Sequence, residues 1–177
     1  MANYVYIATS LDGFIATADG GLDWLDEIPN PEKNDFGYAE FMRGIDAIVM
    51  GRKTFEKVLT FSFWPYDKPV YVTSKSKIVI PKEFEDKVEI ITGNPRKLVD
   101  HLKTKGHQNL YIDGGVTIQG FLEEDLIDEM IITRVPVLLG NGIPLFGTLT
   151  RKLHFKHEKT EVFNEMLVKS VYKRVRD

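Results

Sequence analysis

The chain has 177 residues, of which 43% are hydrophobic and 28% charged, with a formal net charge of -3 and an isoelectric point near 5.8. The length predicts one domain over residues 1–177, and the acidic balance argues against a general nucleic-acid-binding protein. The chain has no cysteine, which excludes disulfides and cysteine-ligated metals and favours a cytoplasmic protein; we expect neither a signal peptide nor a membrane span.

Short apolar runs alternate with helical patterns along most of the chain. We predict strands at Tyr4–Ala8, Ile45–Met50, Pro69–Thr73, Val88–Thr92, Leu110–Ile112 and Asp128–Val135. We predict helices from a cap at Asp35 to Arg43, from the Gly51-Arg52-Lys53-Thr54 turn to Leu59, at Pro95–Lys105 and at Val116–Glu123. Residues 17–34, rich in Gly, Asp, Asn and Pro, predict a long irregular segment of a kind that is often functional.

The tail predicts two further strands, Phe155–Val162 and Glu165–Val175, separated at Asn164. Strands that alternate with helices indicate an α/β fold with a mostly parallel central sheet flanked by helices. The tail then adds a C-terminal antiparallel hairpin at one edge.

Ligands of open α/β sheets bind outside the carboxyl ends of the strands. The first suggestive strand end is Gly51-Arg52-Lys53-Thr54, where helix N–H groups, the Thr54 hydroxyl and the Arg52 guanidinium suit a phosphate. The second is Thr73-Ser74-Lys75, where a hydroxyl beside a cation suits a ribose 2′-phosphate and favours NADPH over NADH. The alternatives are a solvated basic turn and an ordinary surface loop.

The third strand end lies within "LYIDGGVTIQGFL", residues 110–122. Gly114 and Gly115 allow a ligand to approach the main chain, because neither has a Cβ. The N–H groups of residues 116–118 then favour a pyrophosphate. The alternative is a tight turn that needs glycine for its backbone angles. Three such strand ends together predict one dinucleotide that contacts all of them.

The segments "IATSLDGFIA", "MGRKTFE", "VYVTSK" and "LYIDGGVTIQGFL" resemble, in this order, the dihydrofolate-reductase-like superfamily over nearly the whole chain. "SLDGFIA", "IDAIVMGRKT", "DGG" and "VPVLLGNGIPLF" are more similar to the reductase domain of the bacterial riboflavin-biosynthesis deaminase/reductase. The resemblance implies an NADPH-dependent reductase of a pyrimidine riboside or a pterin. Because the riboflavin reductases associate, it also implies a homodimer.

The strand-end argument and the resemblance together define the expected cofactor site. Its residues are Ala8, Ile15, Gly51, Arg52, Thr54, Thr73, Ser74, Lys75, Asp113, Gly114, Gly115, Val116, Thr117 and Ile118. By the resemblance, Ala8 and Ile15 line the nicotinamide pocket, and a cis peptide bond joins Gly114 to Gly115.

A hydride acceptor needs a proton or a positive centre as the hydride arrives, which a carboxyl group can hold. Asp12 and Asp35 are the catalytic candidates; the alternatives are a turn former for Asp12 and a helix N-cap for Asp35. Asp113 is expected to pin the turn or contact the cofactor.

Trp24, Phe36 and Phe146 are the candidates for stacking on a flat substrate, and the alternative is that they belong to the core. No metal site is predicted, because the four histidines are scattered without ligand spacing.

Two other functions stay open. Dihydrofolate reductase is one, although Trp24 lies 11 residues before Asp35, farther than that enzyme's pattern of a Trp closely followed by an acid. The other is an NADPH-binding protein without turnover. We expect no deaminase activity from this chain, because zero cysteines exclude the usual zinc site of the deaminase half.

Overall fold

The computed structural model describes residues 1–176. Its strands are β1 Ala2–Thr9, β2 Phe14–Ala16, β3 Ala47–Gly51, β4 Val70–Thr73, β5 Val88–Ile91, β6 Asn109–Asp113, β7 Glu129–Arg134, β8 Ile143–Pro144, β9 His154–Phe163 and β10 Leu167–Val175. Its helices are α1 Asp23–Asp26, α2 Tyr38–Arg43, α3 Arg52–Val58, α4 Pro95–Thr104 and α5 Gly115–Glu123, with a 3₁₀ turn at Lys82–Phe84.

Eight strands form one sheet in the order β5-β4-β3-β6-β1-β7-β10-β9. The six strands from β5 to β7 run parallel to one another. β10 is antiparallel to both β7 and β9. The predicted mostly parallel sheet with a C-terminal antiparallel hairpin at its edge is therefore confirmed.

The two faces of the sheet are covered by different helices. Alternate residues of a strand point to opposite faces, so Val5 and Tyr6 separate. Val5 lies in the cluster that α4 and α5 cover through side chains such as Leu102 and Phe121. Tyr6 packs against the cluster that α2 and α3 cover through side chains such as Phe55. We call these the α4–α5 face and the α2–α3 face.

The helix predicted from Asp35 begins later, at Tyr38. Phe36 and Gly37 have positive φ angles of 54° and 89°, which no helix residue adopts, so the chain turns before the helix starts. The Asp35 carboxylate oxygens accept hydrogen bonds from the N–H groups of Gly37 and Ala39, both at 2.9 Å. The N-cap residue is Gly37, two residues after the predicted cap, and Asp35 supports the helix start through its side chain.

Residues 17–34 are less irregular than predicted, because they contain the one-turn helix α1, in which Trp24 is buried. Two further strands, β2 and β8, were not predicted from the sequence, and they pair as a separate antiparallel ribbon. Both strands are too short to show a periodic pattern. No helix within residues 1–176 is long and apolar enough to cross a membrane.

Candidate active site

The predicted strand ends lie side by side at one edge of the sheet. Gly51 at the end of β3 is in register with Thr73 at the end of β4. Met50, the residue before Gly51, is in register with Asp113 at the end of β6. Because parallel strands end at the same edge, the three sites predicted from separate sequence segments form one continuous row.

The row includes a point where the helices that follow two neighbouring strands, β3 and β6, leave the sheet on opposite sides. After β3, α3 packs through Phe55 on the α2–α3 face. After the neighbouring β6, α5 packs through Ile118 and Phe121 on the α4–α5 face. Such a divergence opens a crevice between two strand ends, and it is where open α/β sheets bind their ligands.

The starts of α3 and α5 interlock through two glycine–threonine contacts. A Cβ at Gly114 would collide with Thr54 Oγ1, and a Cβ at Gly51 would lie 2.9 Å from Thr117 Oγ1. The threonine in the first turn of each helix therefore packs against the glycine that precedes the other helix. Thr54 of α3 contacts Gly114, and Thr117 of α5 contacts Gly51. We call this the glycine–threonine contact.

Gly114 and Gly115 do not form the expected cis peptide bond. No peptide bond within residues 1–176 is cis, so this part of the prediction was wrong. Gly114 instead turns the chain with φ 86° and ψ 135°, a region open to glycine because it has no Cβ. The tight-turn interpretation therefore explains Gly114.

The first turn of α5 keeps N–H groups that have no partner within the helix. Val116, at this turn, is 80% exposed. Unpaired helix N–H groups favour an anion, and an exposed valine offers apolar surface beside them. The arrangement suits a ligand with both a phosphate and an apolar ring.

The β2–β8 ribbon packs onto the same helix turn. A Cβ on Gly115 would lie 3.0 Å from Ile15 Cδ1 of β2 and 3.3 Å from the Pro144 carbonyl oxygen of β8. Gln119 of α5 donates its Nε2–H to the same Pro144 carbonyl at 2.9 Å. Ile15 therefore lies beside the glycine pair, where the nicotinamide pocket is predicted.

Asp12 ties the loop after β1 to the loop that leads to β8. Its carboxylate accepts hydrogen bonds from the Ser10 hydroxyl at 2.5 Å, from the Leu139 N–H at 3.2 Å and from the Gly140 N–H at 2.7 Å. These bonds, that of Ser10 foremost, lower the pKa of Asp12. These bonds keep the Asp12 carboxylate ionised and hold the two loops together. They favour the alternative in which Asp12 stabilises a turn.

Asp35 is likewise held ionised. The backbone N–H groups of Ala39 and Gly37 lower its pKa, and its side chain is exposed. The geometry favours the structural role for Asp12 and Asp35, and their catalytic role stays a prediction.

Asp113 is the carboxyl group whose surroundings are different. Burial raises its pKa from 3.8 to about 6, although the Gly114 N–H donates to its Oδ1 at 2.8 Å and the Tyr111 hydroxyl lies nearby. Asp113 can therefore hold a proton close to neutral pH. The sequence placed Asp113 beside the cofactor but could not show its burial.

Aromatic side chains that the sequence analysis did not select pack beside Asp113 on the α2–α3 face. The ring centroids of Tyr6 and Tyr38 are 5.5 Å apart, and those of Phe41 and Tyr111 are 5.3 Å apart. The available signal was alternation, because Tyr111 and Asp113 lie two residues apart on one strand and share a face.

The three predicted stacking residues lie in different surroundings. Trp24 is buried against Val135 and Leu167, with Ala8 and Phe36 packed on the same cluster. The Phe36 ring meets that of Phe163 edge-on at 5.4 Å. Phe146 is 47% exposed, so it is the one of the three that presents a large part of its ring to solvent.

The basic residues predicted to bind phosphates lie at the rim of the row. Arg52 is half exposed, and its guanidinium lies 3.7 Å from the Glu56 carboxylate. The Ser74 hydroxyl donates a hydrogen bond to the Ser76 carbonyl and accepts one from the Ser76 N–H. Lys75 is exposed. Within residues 1–176, no group of three histidine, aspartate or glutamate side chains is placed to hold a metal ion.

Comparison with known proteins gives a family and a fold. Residues 4–169 match the family of the RibD C-terminal domain. A crystal structure of a candidate riboflavin biosynthesis protein from Shewanella sp. PV-4 is 51% identical with a TM-score of 0.95, covering 99% of this chain and 100% of that one.

Two more distant crystal structures share the fold. The diaminohydroxyphosphoribosylaminopyrimidine deaminase/5-amino-6-(5-phosphoribosylamino)uracil reductase of Thermotoga maritima is 16% identical (TM-score 0.77), covering 98% of this chain and 56% of that one. Dihydrofolate reductase from Enterococcus faecalis, complexed with NADP(H), is 15% identical (TM-score 0.69), covering 98% and 96%. The fold is therefore dihydrofolate-reductase-like, as predicted.

Replacing Gly114 by alanine tests the glycine–threonine contact. We expect Gly114→Ala to lower the free energy of unfolding by at least about 2 kcal/mol, because it adds a collision with Thr54 to the strain of a positive φ. The matched control is Gly140→Ala, which has φ 72° and no atom within 4 Å of the new Cβ. Chemical denaturation measures both; an equal loss in the two variants would contradict the contact.

Replacing Asp113 by asparagine tests its raised pKa. The folded state binds this proton more tightly than the unfolded state, so the free energy of unfolding should fall as the pH rises from about 4 to about 6. Asp113→Asn should therefore be more stable than the wild type above pH 6, by up to about 3 kcal/mol, and should lose that advantage below pH 4. Denaturation across this pH range measures it, with exposed Asp100→Asn as control; a constant difference would contradict the raised pKa.

Proposed function

Because the chain belongs to the RibD C-terminal domain family, which is a family of reductase domains, we propose that it is an NADPH-dependent reductase of a pyrimidine riboside. One observation carries this proposal: the interlocked starts of α3 and α5 lie directly beside the partly buried Asp113. A phosphate-binding backbone and a proton-holding group are thereby brought to one crevice.

The residues of the row fit NADPH. The N–H groups that open α5 at Gly115 and Val116 suit the pyrophosphate. We assign Arg52 and Thr54 to the adenosine half of the cofactor, and Lys75 to its 2′-phosphate. Gly51, Thr73, Ser74, Gly114, Thr117 and Ile118 complete the proposed cofactor site. The NADP(H) complex named for the Enterococcus dihydrofolate reductase supports the same choice.

When bound, the nicotinamide supplies a hydride. Ile15 of the ribbon lies beside Gly115, and in this proposal Ile15 and Ala8 of β1 line the ring site, exclude water and set the face that the substrate meets. The acceptor is a C=N or C=O carbon, and its reduction consumes one hydride and one proton. Asp113 holds that proton near the reaction site, which its pKa of about 6 permits.

The proposal also names a substrate. The name of the Thermotoga enzyme supports 5-amino-6-(5-phosphoribosylamino)uracil or a close relative. Dihydrofolate reductase is the alternative activity, and cofactor binding without turnover is the alternative outside catalysis. The proposal also includes one domain over residues 1–177, a homodimer, a cytoplasmic location, and no nucleic-acid or membrane partner.

The phosphate selectivity of the site tests the cofactor assignment. We expect Lys75→Ala to raise the Kd for NADPH about tenfold and to leave the Kd for NADH unchanged, because one charge-assisted contact to the 2′-phosphate is lost. Lys77→Ala, two residues along the same exposed loop, is the matched control. Equal Kd values for NADPH in the wild type and Lys75→Ala would contradict this placement of the 2′-phosphate.

Turnover is measured with the wild type by the loss of NADPH absorbance at 340 nm. We expect oxidation with 5-amino-6-(5-phosphoribosylamino)uracil and not with dihydrofolate. The reverse result would support the dihydrofolate alternative, and NADPH binding without either oxidation would support the non-catalytic one.

A further inference from the structure

Among the charged residues within residues 1–176, Lys169 of β10 has the smallest exposed fraction, 8%. A lysine ammonium group loses its hydration in such a place, and it is tolerated only where protein partners replace the water. The Lys169 Nζ donates a hydrogen bond to the Phe36 carbonyl at 2.8 Å. It also lies 3.2 Å from the Glu161 carboxylate and 4.8 Å from the centre of the Phe163 ring. The buried charge is therefore matched by a backbone carbonyl, a carboxylate and an aromatic face.

The Phe36 carbonyl belongs to the turn that precedes α2. Phe36 and Gly37 both have positive φ angles, and the helix begins at Tyr38. The same carbonyl accepts a second hydrogen bond, from the Tyr6 hydroxyl of β1 at 2.9 Å. A Cβ on Gly37 would lie 3.1 Å from Lys169 Nζ, so the glycine lets the ammonium group approach the backbone. Side chains from β1 and β10 together therefore hold the turn against the sheet.

The strand register places this anchor beside the proposed nicotinamide site. Lys169 is in register with Thr133 of β7, and Thr133 is in register with Ala8 of β1. Residues in register share a face of the sheet, and Ala8 shares the α2–α3 face with Tyr6, two residues earlier. The turn that Lys169 and Tyr6 hold therefore lies over the carboxyl ends of β1 and β7 on that face.

Two aromatic rings of this region depend on where the turn lies. The Phe36 ring packs on the cluster that contains the buried Trp24 and on which Ala8 also packs. Tyr38, directly after the turn, packs its ring 5.5 Å from that of Tyr6. A shift of the turn would move both rings, and with them the wall of the crevice on the α2–α3 face. The row of strand ends on β3, β4 and β6 would stay in place, because those strands pair with one another.

We propose that Lys169 is a positioning residue, whose ammonium group anchors the Phe36–Gly37 turn to the sheet so that the turn forms the substrate side of the reductase site. The proposal rests on the proposed function, because that function defines the site. It concerns the geometry of binding and adds no chemical step.

Trp24 reports the position of the turn without any enzymatic activity. The chain has two tryptophans, so Trp64→Phe leaves Trp24 as the single emitter. In this background we expect Lys169→Met to raise the acrylamide quenching constant of Trp24 about threefold, because loss of a charge-assisted bond frees the turn packed on its cluster. Lys159→Met is the matched control, because Lys159 lies 3.2 Å from the same Glu161 carboxylate but at the protein surface. The control should leave the quenching constant unchanged.

Chemical rescue separates the charge of Lys169 from its packing. Because the chain has no cysteine, Lys169→Cys in the same background introduces a single thiol. In the unfolded protein, 2-bromoethylamine alkylates this thiolate with loss of bromide and restores an ammonium group at the length of lysine, whereas iodoacetamide adds a neutral amide. After refolding, we expect the wild-type quenching constant in the aminoethyl form and the raised constant in the amide form. Lys169→Gln, which also lacks the charge, replaces Lys169→Met if the latter does not fold.

Steady-state kinetics with the pyrimidine riboside read the substrate side of the site. We expect Lys169→Met to raise the KM for the pyrimidine about tenfold while kcat stays within about twofold, because the displaced wall weakens binding of substrate and transition state alike. The Kd for NADPH should stay unchanged, because the proposed cofactor row lies on β3, β4 and β6.

Wild-type quenching in Lys169→Met, or equal quenching in the two alkylated forms, would overturn the proposal. An active enzyme whose KM for the pyrimidine is the same with and without Lys169 would also overturn it. A wild type that oxidises no NADPH with the pyrimidine, while the quenching results are as expected, would overturn the proposed function alone. The two failures are therefore distinguishable.

Discussion

The candidate site depends on the contact between Thr54 and Gly114 and its counterpart between Thr117 and Gly51. β3 and β6 are neighbours in the sheet, but the helices that follow them leave toward opposite faces. Here the two divergent helices begin side by side, and each packs a threonine hydroxyl against a glycine where a Cβ would collide or be crowded. The glycines thereby serve protein packing first, and the crevice beside them is its consequence.

The row of strand ends could be predicted because each part has a local signal. Apolar runs mark β3, β4 and β6, and the glycines at 51, 114 and 115 mark where they end. Parallel pairing then brings the ends to one edge. The helix starts were harder: α2 begins at Tyr38 and not at Asp35, since two residues with positive φ intervene, and nothing local in the sequence required them.

The features of the site that could not be predicted from the sequence depend on contacts between distant segments. Asp12 precedes a glycine and has the pattern of a turn former, but its partners Leu139 and Gly140 lie more than 120 residues away. The β2–β8 ribbon is equally long-range, and it places Ile15 against the start of α5. The predicted cis peptide bond came from resemblance alone, and Gly114 makes the turn by its own φ angle.

The electrostatics of the site follow from which face a residue occupies. Asp113 shares a face with Tyr111 and is partly buried, so desolvation raises its pKa, whereas Asp12 and Asp35 lie exposed among hydrogen-bond donors that lower theirs. Three aspartates with similar sequence surroundings thus have different proton affinities. This difference in pKa arises from the tertiary structure. It makes Asp113, and not the predicted acids Asp12 and Asp35, the carboxyl group that can hold a proton near neutral pH.

Amide hydrogen exchange with and without saturating NADPH is the most direct test that the two helix starts form one cofactor site. If they do, residues 52–54 and 115–118 gain protection together, while residues 156–161 of β9, at the far edge of the sheet, do not change. Protection of only one helix start, or of neither, would contradict the account.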